Sequence, residues 1–122
     1  MKKYDNFCSA LSNMKQIYKY TEPHDDTVIL TGLVGLYEIC FEQSWKMIYE
    51  ASATGSPKII LKTAYQAGMI KDEELWLRAL QEHNNVAHSY NEDIALEIVS
   101  QAKESFYAMF CNLKNEIDAN WL

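Results

Sequence analysis

The chain has 122 residues, 48% of them apolar and 23% charged, with 11 Lys and Arg against 17 Asp and Glu for a formal charge of −6. That length predicts a single domain large enough to bury a core without metal or disulfide staples, and that composition is globular rather than disordered. The acidic balance argues against a protein that grips DNA or RNA through a broad basic footprint, because each phosphate contact needs a cation; a local RNA contact survives this.

Two prolines and four glycines punctuate the chain. Between them apolar residues recur every three or four positions rather than alternating, which predicts helices and no strand. The first helix is expected over about residues 3 to 20, with Phe7, Leu11, Met14 and Tyr18 on one stripe. Thr21-Glu22-Pro23 should end it, since proline disfavours helical geometry in the residue before it. A second helix is expected from Asp25-Asp26-Thr27, whose short oxygens can cap free amides, to about Ser52. Its stripe of Leu30, Val34, Tyr37, Phe41, Trp45 and Ile48 demands a long buried face, which makes it the expected central helix. Thr54-Gly55 closes it, and Ser56-Pro57 opens a short third helix with a cap followed by proline at the first helical position. Gly68 suits the left-handed C-terminal position that ends it. The acids of Asp72-Glu73-Glu74 favour the start of a fourth helix carrying Leu75, Trp76 and Leu80. Asn91-Glu92-Asp93 open a fifth, bearing Ile94, Ile98, Ala102, Phe106 and Phe110 and running to about Glu116. Five helices with short connections predict an all-α, antiparallel up-and-down bundle forming one domain over residues 1 to 122.

Cys8, Cys40 and Cys111 form no CxxC pair, and no secretory leader is read, so reduced thiols and a cytoplasmic protein are expected. No apolar run reaches the roughly 18 residues of a membrane span.

The end of the fourth helix, EHNNVAHSYN over residues 82 to 91, is where candidate chemistry concentrates. Helical spacing lines up Leu77, Leu80, Asn84 and His88. Asn84 can donate and accept, and neutral His88 can do both and titrates near neutrality. Such a pair can hold a phosphate or ribose, or move a proton in phosphodiester cleavage; a capping or core hydrogen-bond role is the alternative. His83 lies off that line, toward Trp76, Leu80 and Ala87, which predicts a hydrogen-bonded, partly buried histidine. His83 and His88 fall on different helix faces with no thiol near, so no metal site is expected. Tyr90 either packs its ring at the helix end, stacks on a base or accepts a modification. Glu38 and Glu42, one turn apart, invite a carboxylate role, but Glu42 and Lys46 also have the spacing of an ordinary ion pair. There is no glycine-rich phosphate loop, nucleophile turn or acidic metal cluster, so the chain should not transfer nucleotides by itself and no cofactor is expected.

The run GLVGLYEICFEQSWK resembles the signature of the nucleotidyltransferase substrate-binding proteins, of the form F-E-x-x-F-E-x-x-W-K, in Tyr37-Glu38, Phe41-Glu42 and Trp45-Lys46. SPKIILKTAYQAGMIKDEELWLRAL is similar to that family's third and fourth helices, and HNNVAHSYN falls on its R-N-x-x-x-H-x-Y. The resemblance covers residues 30 to 98. It implies an all-helical domain of the HEPN superfamily that dimerises and works with a minimal nucleotidyltransferase, as a toxin–antitoxin or nucleotide-handling pair. It further implies a site that binds nucleotide or RNA phosphate through Asn84 and His88, with Glu38, Glu42 and Lys46 of the signature beside it. His88 matches the catalytic histidine of the RNA-cleaving members, Asn84 the polar residue after the motif arginine, and Tyr90 the tyrosine that the partner adenylylates. The departure is His83, which stands where the family carries arginine: a titratable charge replaces a permanent, bidentate fork. That weakens the expectation of ribonuclease activity, metal-independent with His88 as general acid or base, more than that of substrate binding. Arg78 and His83 also form an Arg-x4-His string, read as coincidental because it is out of phase with Tyr90. An interaction bundle without catalysis, its polar patch buried between two copies, is the third reading. All nucleotide readings expect Asn84, His88 and Tyr90 to converge on one water-accessible hollow.

Overall fold

The computed structural model describes residues 2–20, 26–52 and 55–122. Helix α1 covers Lys2–Met14 and tightens into a 3-10 turn over Lys15–Lys19; α2 covers Thr27–Ser52, α3 Pro57–Gln66 and α4 Glu73–Ser89. The last rod is α5, Glu92–Gln101, a π-helical turn over Ala102–Phe106, and α6, Tyr107–Asn120. The described residues thus make five helical rods and no strand, the all-α bundle expected.

Local signals set most of the boundaries. Asp26 Oδ1 accepts from the amides of Val28 at 2.9 Å and Ile29 at 3.3 Å, which caps α2. The expected stop at Thr21-Glu22-Pro23, and Asp25 and Thr54, lie outside the described residues. Ser56 caps α3 through Ile59 with Pro57 in its first turn, Asp72 caps α4 through Leu75, and Asn91 caps α5 through Ile94. Gly68 ends α3 at φ +81°, and Met69 N–H reaches back to the Ala64 carbonyl at 3.0 Å, a Schellman-type closure.

Two expectations about the outer rods need correction. The first rod does not stay α-helical to residue 20. Tightening after Met14 turns Ile17 into the core at 0% exposure and leaves Tyr18 outside at 45%. The Tyr18 hydroxyl instead donates to the Lys103 carbonyl at 2.8 Å, with its ring edge-on to Tyr107. The last rod is not one regular α-helix either, and it runs on to Asn120. Ile94, Ile98, Ala102, Phe106 and Phe110 repeat every fourth position, which on a 3.6-residue helix drifts about 40° per step away from the core. The wider π turn absorbs much of that drift, so Ala102, Phe106 and Phe110 all remain buried.

Helix α2 is central as expected, flanked by α1, α3 and α5. It runs antiparallel to α4: Thr31 near its start meets Tyr90, whereas further along Tyr37 donates to the Ala79 carbonyl at 2.5 Å and Glu38 meets His83, both earlier in the chain than Tyr90. An aromatic column fills the middle. Tyr37 stacks on Phe106 with centroids 5.3 Å apart, Phe41 contacts Trp76 at 6.4 Å, and Trp76 is edge-on to Phe110 at 5.6 Å. All five are essentially inaccessible to water, and each such side chain contributes on the order of 1.5–3 kcal/mol through burial. The column fixes α2 and α4 against each other, and so fixes what their ends present to solvent.

Candidate functional site

Beyond the buried Phe41 the aromatic column reaches the surface through Trp45 and His83. Trp45, one turn on, stacks on Phe41 with centroids 6.0 Å apart and planes 14° apart, and the His83 ring stacks on Phe41 at 4.8 Å and 25°. Trp45 and His83 are only partly buried, and with Phe41 they line a cleft of about 270 Å³. Glu42 and Lys46 from α2, Pro57 from the first turn of α3, and Leu80 and Asn84 from α4 complete its walls. The expected Glu42–Lys46 ion pair is not among those formed by the described residues. Both side chains are exposed at the cleft instead.

A second cleft of about 590 Å³ adjoins the first, and Leu80 and Asn84 belong to both. Lys58 of α3 and Glu74, Arg78 and Gln81 of α4 shape it, with no aromatic in its lining.

His83 Nδ1 lies 2.8 Å from Glu38 Oε2, the hydrogen-bonded, partly buried histidine expected from its position on α4. A carboxylate accepts only from an N–H, so the neutral ring carries its proton on Nδ1 and keeps Nε2 as an acceptor. The Glu38 hydrogen bond raises the His83 pKa above the ordinary imidazole value; burial opposes it, and the charges of Glu38 and Glu42 add to the rise. Protonated His83 is therefore balanced by Glu38. The remaining charges at this cleft are Lys46 and Glu42, which form no ion pair with each other.

Asn84 is exposed on both clefts, whereas His88 lines neither and is exposed in the last turn of α4. Tyr90, at the C-terminal boundary of α4, is 42% exposed with its hydroxyl 3.3 Å from Thr31 Oγ1. Tyr90 lines neither cleft, so these two clefts do not bring Asn84, His88 and Tyr90 together as expected. Glu38, Glu42, Lys46, His83 and Asn84 are the expected site residues that the fold gathers.

Phe41 and Trp45 were legible only as members of the core stripe, and Leu80 likewise. Their periodicity says that α2 and α4 are buried along that side, but not where burial stops. Glu82 was not anticipated at all. It is 8% exposed, accepts from Asn85 at 2.9 Å and from Gln101 at 3.3 Å, and burial raises its pKa. The Gln101 amide nitrogen also donates to Glu97 at 2.9 Å, leaving its buried oxygen without a partner.

Among the described residues no helix is long and apolar enough to cross a membrane. No curated protein matches the chain. A family model described as nucleotidyltransferase substrate binding protein like matches residues 2–119, from α1 into the last turn of α6 and across every residue of both clefts. The chain belongs to the nucleotidyltransferase substrate-binding-protein-like family.

Proposed function

We propose that the protein is the HEPN-type partner of a minimal nucleotidyltransferase, a cytoplasmic homodimer in a toxin–antitoxin-like pair, and that it holds the nucleotide or RNA phosphate on which the pair acts. The observation that carries this reading is the cleft between α2 and α4. The half-buried Trp45 indole, stacked on Phe41, lines it with aromatic surface, Asn84 offers a donor and an acceptor, and Lys46 offers a cation. Base stacking on an aromatic contributes about 1–3 kcal/mol, which an acidic protein needs because general electrostatics works against phosphate binding. A volume near 270 Å³ suits a base or nucleoside better than a whole dinucleotide. Tyr90 fits the role of adenylyl acceptor, since it is exposed at a helix end and its hydroxyl meets, among the described residues, Thr31 Oγ1.

Co-purification with a minimal nucleotidyltransferase from the same genome, followed by incubation with nucleotide and intact-mass measurement, tests the reading. Association and the gain of an adenylyl group that Tyr90→Phe abolishes are expected. Neither association nor transfer would overturn it.

Ribonuclease activity is the second reading, supported by the exposure of Asn84 and His88 one turn apart on α4. It expects metal-independent RNA cleavage that His88→Ala abolishes. RNA left intact by the wild-type protein would remove it and leave the binding role standing.

A further inference from the structure

Charge is unevenly spread around the clefts. The chain carries −6 overall, yet Lys46, Lys58 and Arg78 face this one groove against Glu42 and Glu74, with Glu38 already engaged by His83. Arg78 is the only arginine in the sequence. Glu74 stands one turn before it, in the order that favours an ion pair, but no ion pair of the described residues includes Arg78, Lys58 or Lys46. Glu82, one turn after it, is hydrogen-bonded to Asn85 and Gln101 and feels the Arg78 charge without forming an ion pair with it. The guanidinium fork, matched in shape to phosphate oxygens, therefore stays available at the mouth of the larger cleft.

We infer that the cleft bounded by Lys58 and Arg78 is a phosphate subsite continuous with the aromatic cleft, and that the ligand is a nucleoside polyphosphate lying across Leu80 and Asn84. The base rests against Trp45 and the phosphates extend to Lys58 and Arg78. This inference rests on the nucleotide reading of the aromatic cleft and adds to it the class of ligand and two binding residues. The composition of the two compartments separates a polyphosphate from an oligonucleotide. A second nucleotide would call for a second stacking face, and the larger cleft has none among its lining residues, only aliphatic, amide and charged groups. Phosphates need cations and hydrogen-bond donors, which Lys58, Arg78, Gln81 and Asn84 supply.

Calorimetric titration of the full chain with each of the four common ribonucleosides, the corresponding triphosphates and a short oligoribonucleotide tests this. At least one nucleoside should bind, and its triphosphate should bind more tightly. Arg78→Gln and Lys58→Gln should each weaken the triphosphate by about tenfold, the order expected for losing one charge-assisted phosphate contact, while leaving the nucleoside unchanged. Glu74→Gln should tighten the triphosphate, a gain that damage to the fold would not produce. A nucleoside that binds as tightly as its triphosphate, or a triphosphate indifferent to all three substitutions, would overturn the phosphate subsite and leave the aromatic cleft intact. An oligoribonucleotide that outcompetes the triphosphate would overturn the choice of ligand class. Absence of binding by every nucleoside and triphosphate would overturn both the subsite and the nucleotide reading beneath it.

Discussion

His83 shows how one residue type at one position redistributes charge. An arginine there would keep its charge at any pH, whereas the imidazole holds its proton through Glu38, 2.8 Å away, against the opposing effect of burial. The folded-state pKa is raised, so the stability contributed by the pair is fully present below the unfolded value of about 6.5 and is lost as pH climbs through the raised folded value. An NMR titration should place the His83 midpoint above the ordinary imidazole value, and Glu38→Gln should lower it; an unchanged midpoint would contradict the assignment of the shift to Glu38. Glu82 is the opposite kind of residue, a carboxylate that burial disfavours in its charged form. Glu82→Gln removes that charge while keeping one acceptor for Asn85 or Gln101. It should raise stability to urea at neutral pH by about 1 kcal/mol. A loss of stability would mean that the lost acceptor and the attraction of Arg78 for the carboxylate outweigh its burial.

At the scale of elements, α2 carries an unusual feature for a central helix. Gly32 and Gly35 lie within it, and a Cβ at either would meet no heavy atom within 4 Å. Glycine in a helix interior costs about 1 kcal/mol relative to alanine, and no packing among the described residues requires it at these positions. Gly32→Ala and Gly35→Ala should each raise the unfolding free energy by about 0.5–1 kcal/mol in denaturant titrations. Destabilisation by either would show that this face is closely covered in solution. The helix starts were readable because caps are local: Ser56-Pro57, Asp72 and Asn91 act within three residues of themselves. The switch to a 3-10 turn after Met14 was not, since Tyr18 fits the apolar stripe and its outward position depends on Lys103 and Tyr107, far along the chain. The π turn did leave a sequence trace in the strict four-residue repeat from Ile94 to Phe110, a spacing that a regular α-helix cannot keep on one face.

For the whole molecule, the bundle follows from the apolar periodicity of the rods, and its long aromatic residues meet in one column because α2 and α4 run antiparallel past α5 and α6. The candidate site was legible in part. His83 and Asn84 stood out as polar groups clustered on α4, and Glu42 and Lys46 as charges one turn apart with the spacing of an ion pair. Which face of α4 they share with α2 was not legible, because it depends on the register fixed by Tyr37 against Ala79 and Glu38 against His83. That register places Asn84 at the aromatic cleft and carries Tyr90 away toward Thr31, so the proposed binding and modification sites are separate places near the end of α4. The central claim is that the edge of the Phe41–Trp45 stack receives a base. Chemical-shift mapping on the labelled protein titrated with nucleoside triphosphates tests it most directly. The account expects the Trp45 indole N–H, the Asn84 side-chain amide and the His83 ring to shift together and saturably, with Trp76 and Trp121 little changed. Saturable shifts confined to residues away from that cleft, or no shifts at any nucleotide concentration, would contradict it.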